Sequence, residues 1–402
     1  MNMKSTKPIR KKPLPPMYPG ATMINKNEIN AVLKVLKSQS LFRYYGPKFL
    51  SITSKFEETL AKYIGVKHAL AVSSGTAALH CALTAIGIKP GDEVIIPAYA
   101  WVACPSTVVL CGGKPVVANI NKTLTLDPKD VEAKITSKTK AIMAVHMRGM
   151  ACDMDEIMKI AEKHNLIVIE DCAQADGGNY KGKKLGSMGN IGTFSFQLLK
   201  IITAGEGGAV VTNNKELYEK SVMFHDSGAI YRPQKFTIEP IAGTNYRITE
   251  LQSAILLQQL KKIDKLIDKM RKNQEKIKKG ISDIKDIEFR EAPSQDADTG
   301  VCLVFYLPNA EKAREFDKAL RAENIYTSSG GYPSPIYVPE RNDGHVCIHW
   351  KHLLGSDFDE TKYSESLELL GRAIHLDVSP LLSNKDIESI INGIHKVAEK
   401  VL

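Results

Sequence analysis

Lys200 closes the run Gly192-Thr193-Phe194-Ser195-Phe196-Gln197-Leu198-Leu199-Lys200, which has the pattern of an aromatic strand, and a turn with Gly205, Gly207 and Gly208 follows it. A lysine amine attacks carbonyl carbon to give a Schiff base, but only when deprotonated, and a partly desolvated site near other cations favours that form. Ser195, on the same run, suits a phosphate. The competing reading is a surface lysine beside a hairpin, since most lysines are solvated. A second polar group ends the apolar run before Ile169-Glu170-Asp171-Cys172-Ala173-Gln174. A carboxylate there is costly to bury without a partner. Asp171 suits a protonated ring nitrogen and Gln174 a phenolic oxygen; a cap for the next turn is the alternative. A third group, Ser73-Ser74-Gly75-Thr76, joins an apolar run to a helical pattern. A helix N-terminus offers free N–H groups and partial positive charge, both suited to phosphate, and Gly75 permits close approach. A plain capped helix start is its competing reading.

These groups need elements to hold them. Short apolar runs at 68–73, 92–97, 114–120, 140–146 and 166–171 read as buried strands. Helical spacing of apolar residues fills 75–87, 100–112 and 153–165. Alternating strands and helices imply an α/β fold with a mostly parallel sheet covered on both faces. In such sheets ligands bind outside the carboxyl ends of the strands, and all three polar groups follow strand ends. Ile255, Leu256, Leu260, Ile263, Leu266, Ile267 and Met270 recur at helical spacing, as in one long amphipathic helix. A strand at 301–307 and helices at 310–325 and 385–402 follow it. The expected organisation is a disordered basic tail over 1–20, a large domain over 21–265, and a smaller α+β domain with its linking helix over 266–402.

Of the 402 residues, 43% are apolar and 25% charged, the balance of a globular chain. The net charge of +9 is concentrated in Lys4, Lys7, Arg10, Lys11 and Lys12 and in Lys261, Lys262, Lys265, Lys269, Arg271 and Lys272. A frayed tail and a solvated helix face account for these clusters. No zinc-finger spacing or RNA-binding aromatic motif accompanies them, so a nucleic-acid partner is not expected. The seven cysteines have irregular gaps and no C-x-x-C pair, which indicates neither a zinc site nor a disulfide framework and fits a reducing cytoplasm. No run resembles a secretory signal or a membrane span.

The blocks SSGTAALHCAL, EDCAQA and SFQLLKIITAGEGGAVVTN together resemble the DegT/StrS family of sugar aminotransferases, which share the aspartate-aminotransferase type of pyridoxal-phosphate (PLP) fold. PGDEVIIPAYAWVA, FHDSG and AGTNYRITELQSAILLQQL extend the resemblance in order over about residues 40–265. The resemblance implies a large mostly parallel-sheet domain with a smaller C-terminal one. It also implies that Lys200 is the Schiff-base lysine, that Asp171 meets the pyridine nitrogen, and that Gln174 meets the phenolic oxygen. Gly75, Thr76 and Ser195 match phosphate contacts. Trp101 matches a ring stacked on the cofactor, with core packing as its alternative. Asn245 matches a residue lent to the phosphate by the partner in a homodimer with shared active sites. Arg247 either neutralises an acidic substrate group or caps the next helix.

The implied reaction transfers an amino group from an amino acid, L-glutamate by resemblance, to a keto-sugar by a ping-pong mechanism. Many family members have His at the place of Gln197. Gln there resembles the branch acting on keto-inositols and other unusual sugars, so nucleotide-linked sugars, keto-inositols and keto-sugar acids all stay open. His146, after another strand end, is a further candidate to line the pocket, with a structural turn as its alternative. The segment 330–351, with Tyr332, Tyr337, His345, His349 and Trp350, is either a substrate loop or a surface excursion. Sugar dehydratases of the same fold replace the lysine with His, and a non-catalytic PLP or sugar sensor would lack the lysine or the acid; this chain keeps both.

Overall fold

The computed structural model describes residues 7–232, 235–326, 344–356 and 358–402, so Tyr332 and Tyr337 lie outside the described residues. Seven strands form the large sheet: β1 (His68–Val72), β2 (Glu93–Pro97), β3 (Lys114–Ala118), β4 (Thr139–Val145), β5 (Ile167–Asp171), β6 (Ile191–Ser195) and β7 (Gly208–Thr212). Their order is β1-β7-β6-β5-β4-β2-β3. Only β7 breaks the parallel pairing, running antiparallel to β1 and β6. Each strand is apolar on both sides because each side meets a core: Val94 and Ile96 enter one cluster and Ile95 the other. Helices α1 (Gly75–Ala85), α2 (Ala103–Leu110) and α3 (Met154–His164) cover the sheet between its strands. Gly87, at φ 80°, ends the turn after α1, and Ile88 N–H donates back to Leu83 O at 3.1 Å.

Two helices, α4 (Glu250–Gln259) and α5 (Ile263–Gly280), lead toward the second layer. The expected single helix is therefore corrected: a 3-10 turn at Leu260–Lys262 divides it. Lys262 is held there by the carbonyl of Met23 at 2.9 Å and by Glu28. Lys262 is thus not part of a solvated face, and neither is Arg271, which donates to Asp298 O at 2.5 Å. The second sheet comprises β8 (Glu288–Phe289), β9 (Cys302–Tyr306) and β10 (Ala373–Asp377), all antiparallel. Helices α6 (Ala310–Ala322) and α7 (Asn384–Val401) share a core with it.

Leu14 is buried in that same core, and its N–H donates to Tyr326 O at 3.1 Å. Ile9 N–H donates to Glu323 at 2.8 Å, and Arg10 pairs with Asp386 at 2.8 Å. The disordered tail expected over 1–20 is therefore corrected for residues 7–20, which are tied to the small layer by apolar burial and charge pairing. Among the described residues, no helix is long and apolar enough to cross a membrane.

Candidate active site

Parallel strands that start on one edge of a sheet end on the other, so the loops after β1, β2, β4, β5 and β6 meet at the same edge. They enclose a cavity of about 730 Å³ lined by Gly75, Thr76, Trp101, Asp171, Gln174, Ser195, Gln197 and Lys200. Arg148 joins them from the turn after β4, while Arg321 on α6 and His375 and Asp377 on β10 close the cavity from the small layer. Eight of the eleven residues singled out from the sequence thus come together.

The N-terminus of α1 is capped by Ser74, whose hydroxyl accepts from Ala77 N–H at 3.1 Å. The first-turn amides of a helix have no partner within it, so those of Gly75 and Thr76 remain to serve a ligand. Gly75 is required for space: a Cβ there would stand 2.6 Å from Cβ of Ser195 and 3.0 Å from its Oγ. The missing side chain keeps the helix end and the end of β6 together, as a cradle for phosphate would need. Gly75→Ala is expected to destabilise the fold by about 1–3 kcal/mol through overpacking. It should also weaken binding of inorganic phosphate at the helix end about tenfold or more by spreading the cradle. Urea unfolding and a fluorescence titration would check the two effects; unchanged affinity would remove Gly75 from the cradle.

Asp171 ends β5 and is 4% exposed. Its Oδ1 accepts from Ala173 N–H at 3.0 Å and its Oδ2 from the Cys104 thiol at 3.3 Å. Burial holds Lys200 below the ordinary lysine range, against the opposing pull of Asp176 and Asp171. That shift favours the neutral, nucleophilic amine. Trp101 is 40% exposed, with its ring centre 4.8 Å from that of His345, so it is not a core residue.

Three residues fall elsewhere. His146 is corrected as a pocket residue: it is fully buried, with Nε2 3.2 Å from Glu170 and Nδ1 accepting from Cys152 N–H at 3.1 Å. Arg247 is corrected likewise. Its guanidinium pairs with buried Asp226, which Arg232 also contacts at 2.6 Å. Burial alone would raise the Asp226 carboxyl, but the two arginines and Tyr231 hold it down at about 2. Asn245 is exposed and lies outside this cavity, with its Oδ1 accepting from Arg247 N–H at 3.3 Å.

Sequence reasoning missed Arg148 and Asp176. Asp176 is 1% exposed, and neither carboxylate oxygen has a hydrogen-bond partner among the described residues. Burial pushes its carboxyl well up, against the pull of Lys200. The available signal was an acid between Ala175 and Gly177, only five places after Asp171. His146, Glu170 and Cys172 are close enough to hold a metal by residue type. Two of the three are already engaged, however: Glu170 accepts from Gly186, Met188 and Gly189 N–H groups at 2.6–2.8 Å, and His146 Nδ1 accepts from Cys152 N–H.

The chain matches the pattern of the DegT/DnrJ/EryC1/StrS aminotransferase family over residues 22–395. It is 50% identical over 211 residues to a GDP-perosamine synthase of Caulobacter vibrioides, a match covering 52% of this chain and 56% of that one. It is 36% identical over 343 residues to an L-glutamine:2-deoxy-scyllo-inosose aminotransferase of Streptomyces kanamyceticus, covering 83% and 79%. An X-ray structure of an aminotransferase from Psychrobacter cryohalolentis superimposes with a TM-score of 0.81 at 29% identity, covering 94% and 98%.

Proposed function

This chain belongs to the DegT/DnrJ/EryC1/StrS aminotransferase family, and from that premise we propose that it uses pyridoxal phosphate to move an amino group from L-glutamate to a keto-sugar. The acceptor is a nucleotide-linked keto-sugar, a keto-inositol or a keto-sugar acid. The observation that carries this reading is the convergence of Lys200, Asp171, Trp101 and the N-terminus of α1 on one cavity. The Gly75–Ser195 cradle and the buried carboxylate beside a desolvated lysine fit that cofactor.

When bound, pyridoxal phosphate supplies an aldehyde and a conjugated ring that accepts electron density. Gly75, Thr76 and Ser195 hold its phosphate through N–H and O–H donors. Asp171 keeps a proton on the ring nitrogen by charge pairing, and Gln174 faces the phenolic oxygen. Trp101 covers one ring face. Lys200 Nζ would be the base that takes the donor's α-proton and returns it to the product side. Gln197 faces the acceptor. Asn245, outside this chain's own cavity, is read as a residue lent to a second copy in a two-fold dimer.

The test is the visible spectrum of the purified protein with pyridoxal phosphate, before and after L-glutamate. A band that forms and is then discharged supports both cofactor and donor. L-glutamine is the second donor to try, because a relative is named for it. A protein that develops no band would sink the reading.

A further inference from the structure

Arg148 occupies a strained place. It has φ 51° and ψ 43°, a left-handed conformation that costs energy for a residue with a Cβ. The turn that strains it is fixed from three sides. Its own N–H donates to Gln174 Oε1 at 3.3 Å. Arg290 donates to the carbonyls of Met147 at 3.4 Å and Arg148 at 3.3 Å. Gly149 follows at φ 80°, where a Cβ would stand 2.3 Å from Thr299 Oγ1. This arrangement projects the guanidinium into the cavity that holds Lys200 and Asp171.

The guanidinium is only partly used. Nη2 donates to Asp377 Oδ1 at 2.6 Å and to Cys302 Sγ at 3.2 Å. Nε and Nη1 make no hydrogen bond among the described residues. A guanidinium carries five N–H donors and a fixed positive charge, so Nη1 stays able to donate to an anion while Nη2 is engaged. The phosphate cradle lies on other elements, at α1 and the end of β6, so the anion awaited here is a different one. Arg321, the other guanidinium lining the cavity among the described residues, is already paired with Asp317 at 2.9 Å.

We infer that Arg148 is the cavity's carboxylate receiver, binding a substrate carboxylate through its charge and Nη1 while Asp377 steadies Nη2. This deepens the aminotransferase reading and rests on it. Two sources share that chemistry: the carboxylate of the amino donor and that of a keto-sugar acid acceptor. The rival reading is a clamp in which Arg148 only ties the turn after β4 to β10.

The experiment uses the PLP-loaded wild type, Arg148→Gln and Arg148→Lys. Discharge of the visible band gives the affinity for L-glutamate. Its inhibition by D-gluconate, a non-reacting sugar acid, is compared with that by neutral D-sorbitol. Loss of a charged hydrogen-bonding pair costs about tenfold or more in affinity. A loss of that size for L-glutamate in Arg148→Gln, partly restored in Arg148→Lys, assigns the carboxylate to the donor. Gluconate inhibition that exceeds sorbitol's in the wild type and vanishes in Arg148→Gln, with L-glutamate unchanged, assigns it to the acceptor. Both affinities within twofold of wild type, with only the melting temperature lowered, would overturn the inference in favour of the clamp. If the wild type shows no band, the aminotransferase reading fails separately, and calorimetric titration of gluconate against sorbitol still tests Arg148.

Discussion

Lys200→Ala is expected to abolish the visible band of lysine-attached cofactor and to slow turnover by about 10⁴-fold or more. Proton transfer by a positioned side chain is worth about 10²–10⁴-fold, and this residue also supplies the nucleophile. The substitution has a second signature in the cofactor-free protein. Lys200 is the cation that opposes the rise in the Asp176 carboxyl, which has no hydrogen-bond partner among the described residues. Without it, the folded state holds the Asp176 proton to still higher pH than the unfolded chain does. A folded state that binds more protons than the unfolded one loses stability as pH rises. Wild-type Lys200 works the other way: its lowered value means that stability grows as pH climbs toward the ordinary lysine range. Both changes have the same sign, so the variant's melting temperature should fall further below wild type between pH 5 and pH 9. A gap that stays flat with pH would show that folding shifts neither the Lys200 amine nor, on its removal, the Asp176 carboxyl. Turnover near wild type would remove Lys200 from the chemistry altogether.

The strands that build this site were legible because each is a short apolar run closed by Gly, Pro or a polar residue, and the parallel-sheet rule then named the productive edge. The rule says where a strand ends, but not which face the next side chain takes. Alternation along a strand has period two, so Glu170 and Asp171 face opposite sides of β5. Asp171 reaches the cavity, whereas Glu170 turns beneath the sheet. His146 N–H continues the ladder to Asp171 O at 3.0 Å, which sends the imidazole to the Glu170 side. The strand-end rule alone therefore misplaced it. Arg247 was misplaced for another reason: its partner Asp226 is 21 positions away, and no local pattern pairs them. Arg148, Arg321 and Asp377 come from three distant elements, so their meeting is a property of the tertiary fold. The break between α4 and α5 was equally hidden, because Leu260 and Ile263 keep the helical spacing while Lys262 is captured by Glu28 near the start of the chain.

Glu170→Ala is expected to cost about 3–5 kcal/mol of stability, the range for removing one member of a buried charged network. The side chain is fully buried and accepts four donors: Met188 and Gly189 N–H on Oε1 at 2.7 and 2.6 Å, and Gly186 N–H and His146 Nε2 on Oε2 at 2.8 and 3.2 Å. With His146 Nδ1 facing Cys152 N–H, its Nε2 points at Glu170. Alanine would strand three backbone amides and this imidazole away from water. Glu170→Gln separates lost volume from lost acceptors, because its amide nitrogen would confront two donors whichever way it turns. It should therefore be nearly as harmful as alanine despite matching the shape of Glu170. The loop held by these bonds, 186–189, feeds directly into β6, which carries Ser195 and leads to Lys200. On the same strand as Glu170, Asp171 faces the cavity. Loosening the underside should thus weaken cofactor binding in both variants, although Glu170 touches neither cofactor nor substrate. Denaturant unfolding and a pyridoxal-phosphate titration measure the two consequences. A cost below about 1 kcal/mol, typical of a single hydrogen bond, would mean that the loop finds other acceptors and that Asp171 is positioned without Glu170.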